Sequence, residues 1–399
     1  MNRIVVVGAS VGGVTAAEAL RRAGFDGAIT LVGDERGLPY DRPPLSKQLL
    51  CRQWEPAKLS LRSLNDLSAL GLELRFGMQA TELDLARQSV RLADGTGLEY
   101  DALVISTGVQ ARRLPGTDEI AGVHTLRTMS DALALRAQLR PGRHLVIVGA
   151  GFVGAEVAAT ARALGVRVTL LESGPVPLAP AIGEAAGRFL TELHKAHGVT
   201  VRTHASVAEI LSARGRLVGV RLADGTTTPA DVVLVAIGAV PNTEWLTGSG
   251  LKVSDGLVCD QYCAAAPGVY GVGDIARWHN DLFGTSMRVE HRINAAEQGV
   301  AVARNLLGPQ PRPFAPVPYF WSDQYDTKLQ AYGHFRDHDE AVVLDNDLAV
   351  GQLLVAYRRD DRLVGVLAAG KTPKILRAWR ALIAARTPWT AALTETTAA

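Results

Sequence analysis

The 399-residue sequence is poor in cysteine, with three, and in aromatic residues, at 6%. Three cysteines cannot build a disulfide framework, and they suit a reducing compartment. Neither sign of charge dominates: 42 lysines and arginines face 40 acidic residues, for a formal net charge of +2. That total points to no nucleic-acid partner. No apolar run approaches the roughly 18 residues of a membrane helix, so no membrane association is expected. No charged leader or signal-like apolar region precedes Ile4–Val7, which reads as a first strand, so a cytoplasmic protein is expected.

What is present is a globular composition, 47% hydrophobic and 21% charged. The length exceeds one hydrophobic core and predicts two or three domains. Internal similarity is the strongest signal. Residues 4–13, IVVVGASVGG, and residues 145–154, LVIVGAGFVG, both run an apolar strand into a glycine-rich turn and an alanine-rich helix. YDALVISTG at 100–108 and ADVVLVAIG at 230–238 are a second matching pair. The predicted class is α/β, with two Rossmann-like dinucleotide-binding domains and a C-terminal α+β domain. Leu114–Pro115–Gly116 and Val240–Pro241–Asn242 read as crossings, and the proline-rich stretch 309–318 as a linker. The first domain is therefore 1–114 with 241–309, the second 115–240 and the third 310–399. The third is expected to hold strands near Ala341–Leu344, Gln352–Tyr357 and Leu363–Ala368, a closing helix, and disorder over residues 394–399.

Each strand–turn–helix carries a pyrophosphate-binding pattern. The first places Gly8, Ser10 and Gly13 at the three positions of G-x-G-x-x-G, with Gly12 alongside. The first position allows the tight turn, the second lets the backbone approach a pyrophosphate, and the third lets helix and strand pack closely. Asp34 or Glu35, after the strand Ile29–Val32, lies where a carboxylate accepts from a ribose hydroxyl. The second pattern is complete: Gly149, Gly151 and Gly154, with Phe152 and Val153 between them. Glu172 closes the strand Arg167–Leu171 and repels a 2′-phosphate, and no Lys or Arg stands in residues 173–177. NADH is therefore expected over NADPH. Gly238 ends the matching later strand of this half.

At this point the sequence resembles the pyridine-nucleotide flavoprotein reductases, and more narrowly the bacterial ferredoxin reductases of the putidaredoxin reductase and biphenyl dioxygenase reductase kind. The likeness covers nearly the whole chain. It rests on LVGDERGLPYDRPPLSK (31–47), GAGFVGAEVAA (149–159), VYGVGDIAR (269–277), NAAEQG (294–299) and FWSDQYDTKLQ (320–330). The resemblance implies tightly but non-covalently bound FAD on the first half and NADH as substrate on the second. It implies FAD contacts at Asp34, Arg42, Lys47, Arg127 and Asp274, and FAD-site positions at Ala80, Thr107, Gly108 and Arg292. For Asp274 a helix N-cap is the competing reading. Lys47 and Glu156 match a lysine–glutamate pair beside the flavin, with Glu156 expected in the first turn of its helix. Trp321 matches an aromatic at the flavin edge, against plain core packing of the third domain. Arg292 stands where relatives often have tryptophan, and two readings stay open: a cation that raises the flavin potential, or a side chain that points away.

The implied activity is electron transfer from NADH through FAD to a small acidic two-iron ferredoxin. That ferredoxin would serve a cytochrome monooxygenase or a ring-hydroxylating oxygenase. An acidic partner calls for a basic surface. Residues 370–386 carry Lys371, Lys374, Arg377, Arg380 and Arg386 with no acid, around an apolar stripe of Ile375, Leu376, Trp379, Leu382 and Ile383. A docking helix and an ordinary solvated helix both fit this pattern. Disulfide reductases need a redox cysteine pair after the first helix, and none is there. An NADH oxidase or peroxidase needs one reactive cysteine, for which Cys51 is the sole candidate. A redox-sensing flavoprotein of the apoptosis-inducing-factor type is the remaining alternative. Cys259 and Cys263 lack further ligands nearby, so no metal is expected.

Overall fold

The structure of the protein, a computed structural model, describes residues 1–397. The chain forms two compact units. The first comprises residues 1–41, 57–110 and 240–318, and the second 42–56, 111–239 and 319–399.

The first unit is built on a six-stranded sheet. Its order is Ala264–Ala266, Val269–Gly271, Ala102–Ile105, Arg3–Val7, Ala28–Gly33 and Leu72–Phe76. Every pairing is parallel except the edge strand Ala264–Ala266. The central strands are apolar along their length because both faces are covered, and Ile4 to Val7 and Ala102 to Ile105 are buried. Val7 pairs with Val32 and Ile105, and Ile105 pairs with Gly271. The segments following these strands therefore emerge along one sheet edge. The helices Val11–Arg22 and Arg292–Leu307 pack closely: a Cβ on Gly299 would stand 2.8 Å from the Gly12 carbonyl oxygen.

The second unit holds two five-stranded sheets beside a small antiparallel one of Val207–Ala213, Arg216–Leu222 and Thr227–Pro229. One of the larger two is parallel, in the order Thr200–Arg202, Arg167–Leu171, His144–Val148, Val232–Val235 and Val123–His124. Val148 pairs with Leu171 and Val235, so residues 149–151, 172 and 236–238 leave one edge together. The other sheet is antiparallel, in the order Tyr319–Gln324, Thr327–Gly333, Arg362–Ala369, Gln352–Arg359 and Glu340–Asp347. The three expected C-terminal strands are present, each longer than its apolar run, and the first extends from Ala341–Leu344 to Glu340–Asp347. A hairpin of two more strands precedes them, made from the FWSDQYDTKLQ stretch.

Two helices follow, Pro373–Ala384 and Trp389–Thr397. The second corrects the expectation of disorder from residue 394. Trp389 and Ala392 are buried and anchor that helix. Residues 398 and 399, the rest of that expectation, lie outside the described residues.

Candidate functional site

In the first unit the glycines at the turn are demanded by packing. Gly8 has φ +115°, and a Cβ there would stand 2.1 Å from the Ser106 carbonyl oxygen. A Cβ on Gly13 would stand 1.9 Å from the Gly8 carbonyl oxygen. Gly12 faces Val272 and Ala295, so its smallness serves the helix–helix contact. Ser10 is the N-cap of the helix Val11–Arg22, yet its side chain makes no capping bond, and no acid lies in the first turn. The amides at this helix start are left for an anion.

The two acidic candidates part company. Glu35 accepts from the Tyr40 hydroxyl at 2.7 Å, whereas Asp34 is exposed directly after the strand. Ala80 is buried at the start of the strand Ala80–Asp84. Thr107 and Gly108 are clamped by Asn242, which the sequence marks only as part of a crossing. Asn242 Nδ2 donates to the Thr107 carbonyl at 2.8 Å, and the Asn242 amide donates to the Gly108 carbonyl at 3.0 Å.

Asp274 lies within the short 3₁₀ turn Gly273–Ile275, whose N-cap position is Val272, and a strand rather than a helix follows. The N-cap reading of Asp274 is thereby excluded. The turn is held by Gln298, a wholly buried residue of NAAEQG, whose Oε1 accepts from the Gly273 amide at 2.7 Å. Arg292 Nε donates to both oxygens of Asp41, at 2.7 and 2.8 Å. Arg292 is thus paired with a carboxylate within its own unit.

In the second unit the turn differs in one informative respect. Gly149 and Gly154 are sterically required, as in the first turn, with hypothetical Cβ atoms 2.4 and 2.2 Å from carbonyl oxygens. Gly151 is not: a Cβ there would meet nothing nearer than the Ala236 carbonyl oxygen at 3.9 Å. The protein leaves space at the position where a pyrophosphate approaches the backbone. Glu172 spans this turn. One carboxylate oxygen accepts from the Ala150 amide at 3.0 Å, and the other from the Gly174 amide at 2.8 Å and the Ser173 hydroxyl at 3.3 Å. Phe152 packs edge-on against Phe320 at 4.9 Å, while Val153 is exposed. Gly238 has φ +96°, and its carbonyl accepts from the Arg112 amide at 3.0 Å.

Lys47 and Glu156 meet in this second unit. Lys47 Nζ donates to Glu156 Oε2 at 2.9 Å, with only 12% and 9% of the two side chains exposed. Glu156 lies just beyond the first turn of the helix Phe152–Ala163, a small correction to its expected place in that turn. The ion pair has further partners the sequence did not suggest: Ser46 Oγ donates to Oε2 at 2.5 Å and Ser322 Oγ to Oε1 at 2.8 Å. Their only signal was the pair of specific stretches in which they sit. Arg42 Nη1 donates to the Arg127 carbonyl at 2.7 Å, which brings two more candidates together.

Trp321 is not core. The strand Tyr319–Gln324 alternates, burying Phe320, Ser322 and Gln324 and leaving Tyr319, Trp321 and Asp323 half-exposed. Trp321 stacks on Tyr319 with ring centres 6.1 Å apart.

The helix Pro373–Ala384 buries Leu376, Trp379 and Ile383. Lys374, Arg377 and Arg380 are exposed, and Arg380 lies over the Tyr332 ring at 5.8 Å. Lys371 departs from its expected place on the basic face. It precedes the helix and is mostly buried, with its ammonium bound to Asp345 and to Gln352 Oε1 at 2.6 Å. Cys259 and Cys263 are buried free thiols, and burial pushes Cys259 up to about 12 and Cys263 well above the usual thiol range. They are not reactive thiolates. Among the described residues no cluster of His, Cys, Asp or Glu could hold a metal, and no helix is long and apolar enough to cross a membrane.

Residues 2–299 match the family described as pyridine nucleotide-disulphide oxidoreductase, and residues 319–398 match the reductase C-terminal domain. Putidaredoxin reductase of Pseudomonas putida is 36% identical over 372 residues, covering 92% of this chain and 88% of that protein. The ferredoxin–NAD(+) reductase component of the p-cumate 2,3-dioxygenase system of Pseudomonas putida is 41% identical over 335 residues, covering 84% and 81%. The crystal structure of the covalent putidaredoxin reductase–putidaredoxin complex superposes with a TM-score of 0.93 at 33% identity, covering 100% of this chain and 99% of that one. These likenesses imply FAD and NAD(H) as cofactors. The uncapped helix starts and the open space at Gly151 fit two dinucleotides. The chain belongs to the pyridine nucleotide-disulphide oxidoreductase family, among the oxidoreductases that serve as ferredoxin reductases of oxygenase systems.

Proposed function

We propose that this protein oxidises NADH and passes the electrons through tightly but non-covalently held FAD to a small acidic two-iron ferredoxin. That ferredoxin supplies a cytochrome monooxygenase or a ring-hydroxylating oxygenase. In this reading residues 1–114 and 241–309 bind FAD, residues 115–240 bind NADH, and residues 310–399 form the C-terminal domain. FAD, when bound, supplies hydride acceptance and release of electrons one at a time.

The chain's own residues do the rest. Gly8, Ser10, Gly12 and Gly13 present helix-start amides to the FAD pyrophosphate, and Asp34 or Glu35 takes the adenosine ribose. Ala80, Thr107, Gly108, Asp274 and Arg292 complete the FAD-binding set, with Arg42 and Arg127 offsetting phosphate charge. Gly149, Gly151, Phe152, Val153, Gly154, Glu172 and Gly238 receive NADH. Glu172 selects NADH because a carboxylate accepts from a ribose hydroxyl and repels a 2′-phosphate. The Lys47–Glu156 pair acts at the flavin, and Trp321 lies on the electron route. Lys374, Arg377 and Arg380 steer the acidic ferredoxin, within the cytoplasm.

The observation that carries this reading is the buried ion pair between Lys47 and Glu156, the latter on the helix of the complete fingerprint. A buried ion pair is a poor source of stability, so its presence here points to a role. The test is stopped-flow reduction of the FAD-loaded protein by NADH, followed by a screen of two-iron ferredoxins with cytochrome c as final acceptor. Rapid cytochrome c reduction that depends on a ferredoxin supports the proposal. Stoichiometric peroxide or water from NADH without ferredoxin would establish an oxidase instead. Flavin reduction without turnover on any ferredoxin would favour a redox sensor.

A further inference from the structure

Glu156 is the meeting point of donors from two separate stretches of the second unit. Ser46 and Lys47 come from the loop before residue 56, and both donate to Oε2. Ser322 comes from the strand Tyr319–Gln324 and donates to Oε1. Behind each hydroxyl stands a second group. Gln324 Nε2 donates to Ser322 Oγ at 3.2 Å, and Thr160 Oγ1 donates to the Ser46 carbonyl at 2.8 Å. Beside them His194 Nδ1 lies 2.8 Å from the hydroxyl of Tyr325, the residue after Gln324.

Ser322, Gln324 and His194 have no exposed surface. Two of the three inward positions of one strand are thus polar, in a place where Val or Leu would bury apolar area at no polar cost. Buried polar groups are costly unless paired, so a strand built this way serves the group it pairs with. That group is the carboxylate of the ion pair.

We infer that Ser322, Gln324 and Ser46 are positioning residues: by fixing both oxygens of Glu156 they set where the Lys47 ammonium stands while NADH reduces the flavin. The inference rests on the proposed reductase reading for its kinetic part. With Ser322 Oγ donating to Oε1, and Ser46 Oγ and Lys47 Nζ sharing Oε2, the carboxylate cannot rotate without breaking a bond. Removing the Ser322 hydroxyl frees that rotation and loosens the hold on Lys47.

The experiment uses the full chain loaded with FAD and two readouts. The first is the rate at which acetic anhydride acylates Lys47 at fixed pH, measured by peptide mass spectrometry against exposed Lys195. Ser322→Ala is expected to raise Lys47 acylation severalfold, and Ser322→Thr to restore the parent rate. Ser46→Ala probes the opposite oxygen should Ser322→Ala fail to fold. Glu156→Gln also raises acylation, and adding Ser322→Ala to it should change nothing more. The second readout is flavin reduction by NADH, expected to slow about tenfold in Ser322→Ala, as for a lost hydrogen bond to a charged group, with KM for NADH within about twofold. Lys47 acylation at the parent rate in both serine variants, or effects of Ser322→Ala and Glu156→Gln that multiply, would overturn the inference. Acylation that responds while flavin reduction keeps its rate overturns the kinetic part. Failure of the reductase reading itself shows separately, as a parent protein whose flavin NADH does not reduce.

Discussion

Removing either member of the Lys47–Glu156 pair breaks the same ion pair, yet the structure predicts unequal costs. Among the described residues the Lys47 ammonium has one hydrogen-bond acceptor, Glu156. Glu156→Ala therefore strands a mostly buried cation and two hydroxyl donors. Breaking a buried pair from one side costs roughly 3–5 kcal/mol, and the slight exposure of both side chains sets the expectation at the lower end, about 3 kcal/mol. Lys47→Ala leaves the carboxylate with Ser46 on one oxygen and Ser322 on the other. Each is a charge-assisted bond, so the expected cost is about 1–2 kcal/mol. The double variant strands no charge and should cost less than the sum of the singles by about 1–2 kcal/mol. Urea unfolding of the four FAD-loaded proteins, followed by circular dichroism and tryptophan fluorescence, measures all three quantities. Equal costs for Lys47→Ala and Glu156→Ala, or effects that simply add, would refute this account of the pair.

Four further outcomes are expected. Glu172→Ala should lower kcat/KM for NADH about tenfold and raise the NADPH-to-NADH ratio in steady-state kinetics, because the amides of Ala150 and Gly174 lose their acceptor while repulsion of a 2′-phosphate disappears. Arg292→Ala should leave the flavin midpoint potential within about 30 mV by spectroelectrochemistry, since Asp41 already balances the charge, and Asp41→Asn should shift it more. Burial lowers the His194 pKa to about 4 from its ordinary 6.5, so the folded protein binds fewer protons than the unfolded chain between those values. That stability is fully present above about pH 6.5 and is lost as pH falls toward 4, to a limit of about 3 kcal/mol; a urea midpoint that is the same at pH 7 and pH 5 would contradict it. Reversing the charges of Lys374, Arg377 and Arg380 should lower kcat/KM for an acidic ferredoxin and flatten its salt dependence, with stability changed by less than about 1 kcal/mol.

Much of the fold was legible because its signals are local. An apolar run of four or five residues followed by glycine at fixed spacing specifies a buried parallel strand and its turn, and Arg3–Val7 and His144–Val148 lie where that rule puts them. The hairpin from Tyr319 was not assigned as strands because its alternation places serine and glutamine inward, against the usual apolar pattern. The last helix was missed because only two apolar anchors, Trp389 and Ala392, stand among threonines and alanines, which look like a frayed end. Glycine's two uses were also indistinguishable in sequence: Gly12 makes room for a helix, whereas Gly151 leaves room that no protein atom fills.

By itself the sequence determined two strand–turn–helix units with glycine-rich turns, an acidic residue at the end of the strand that follows each, and a C-terminal segment rich in strands. These depend on spacings of a few residues, which the chain's covalent geometry converts directly into turns and strand ends. Only the tertiary structure decided which charged groups act together. Lys47 reaches Glu156 across 109 positions, Ser322 reaches the same carboxylate across 166, and Arg292 reaches Asp41 across 251. No periodicity records such distances, because a side chain's partner is set by how separate segments pack, and a charge is neutralised or left free by whatever that packing brings within about 3 Å.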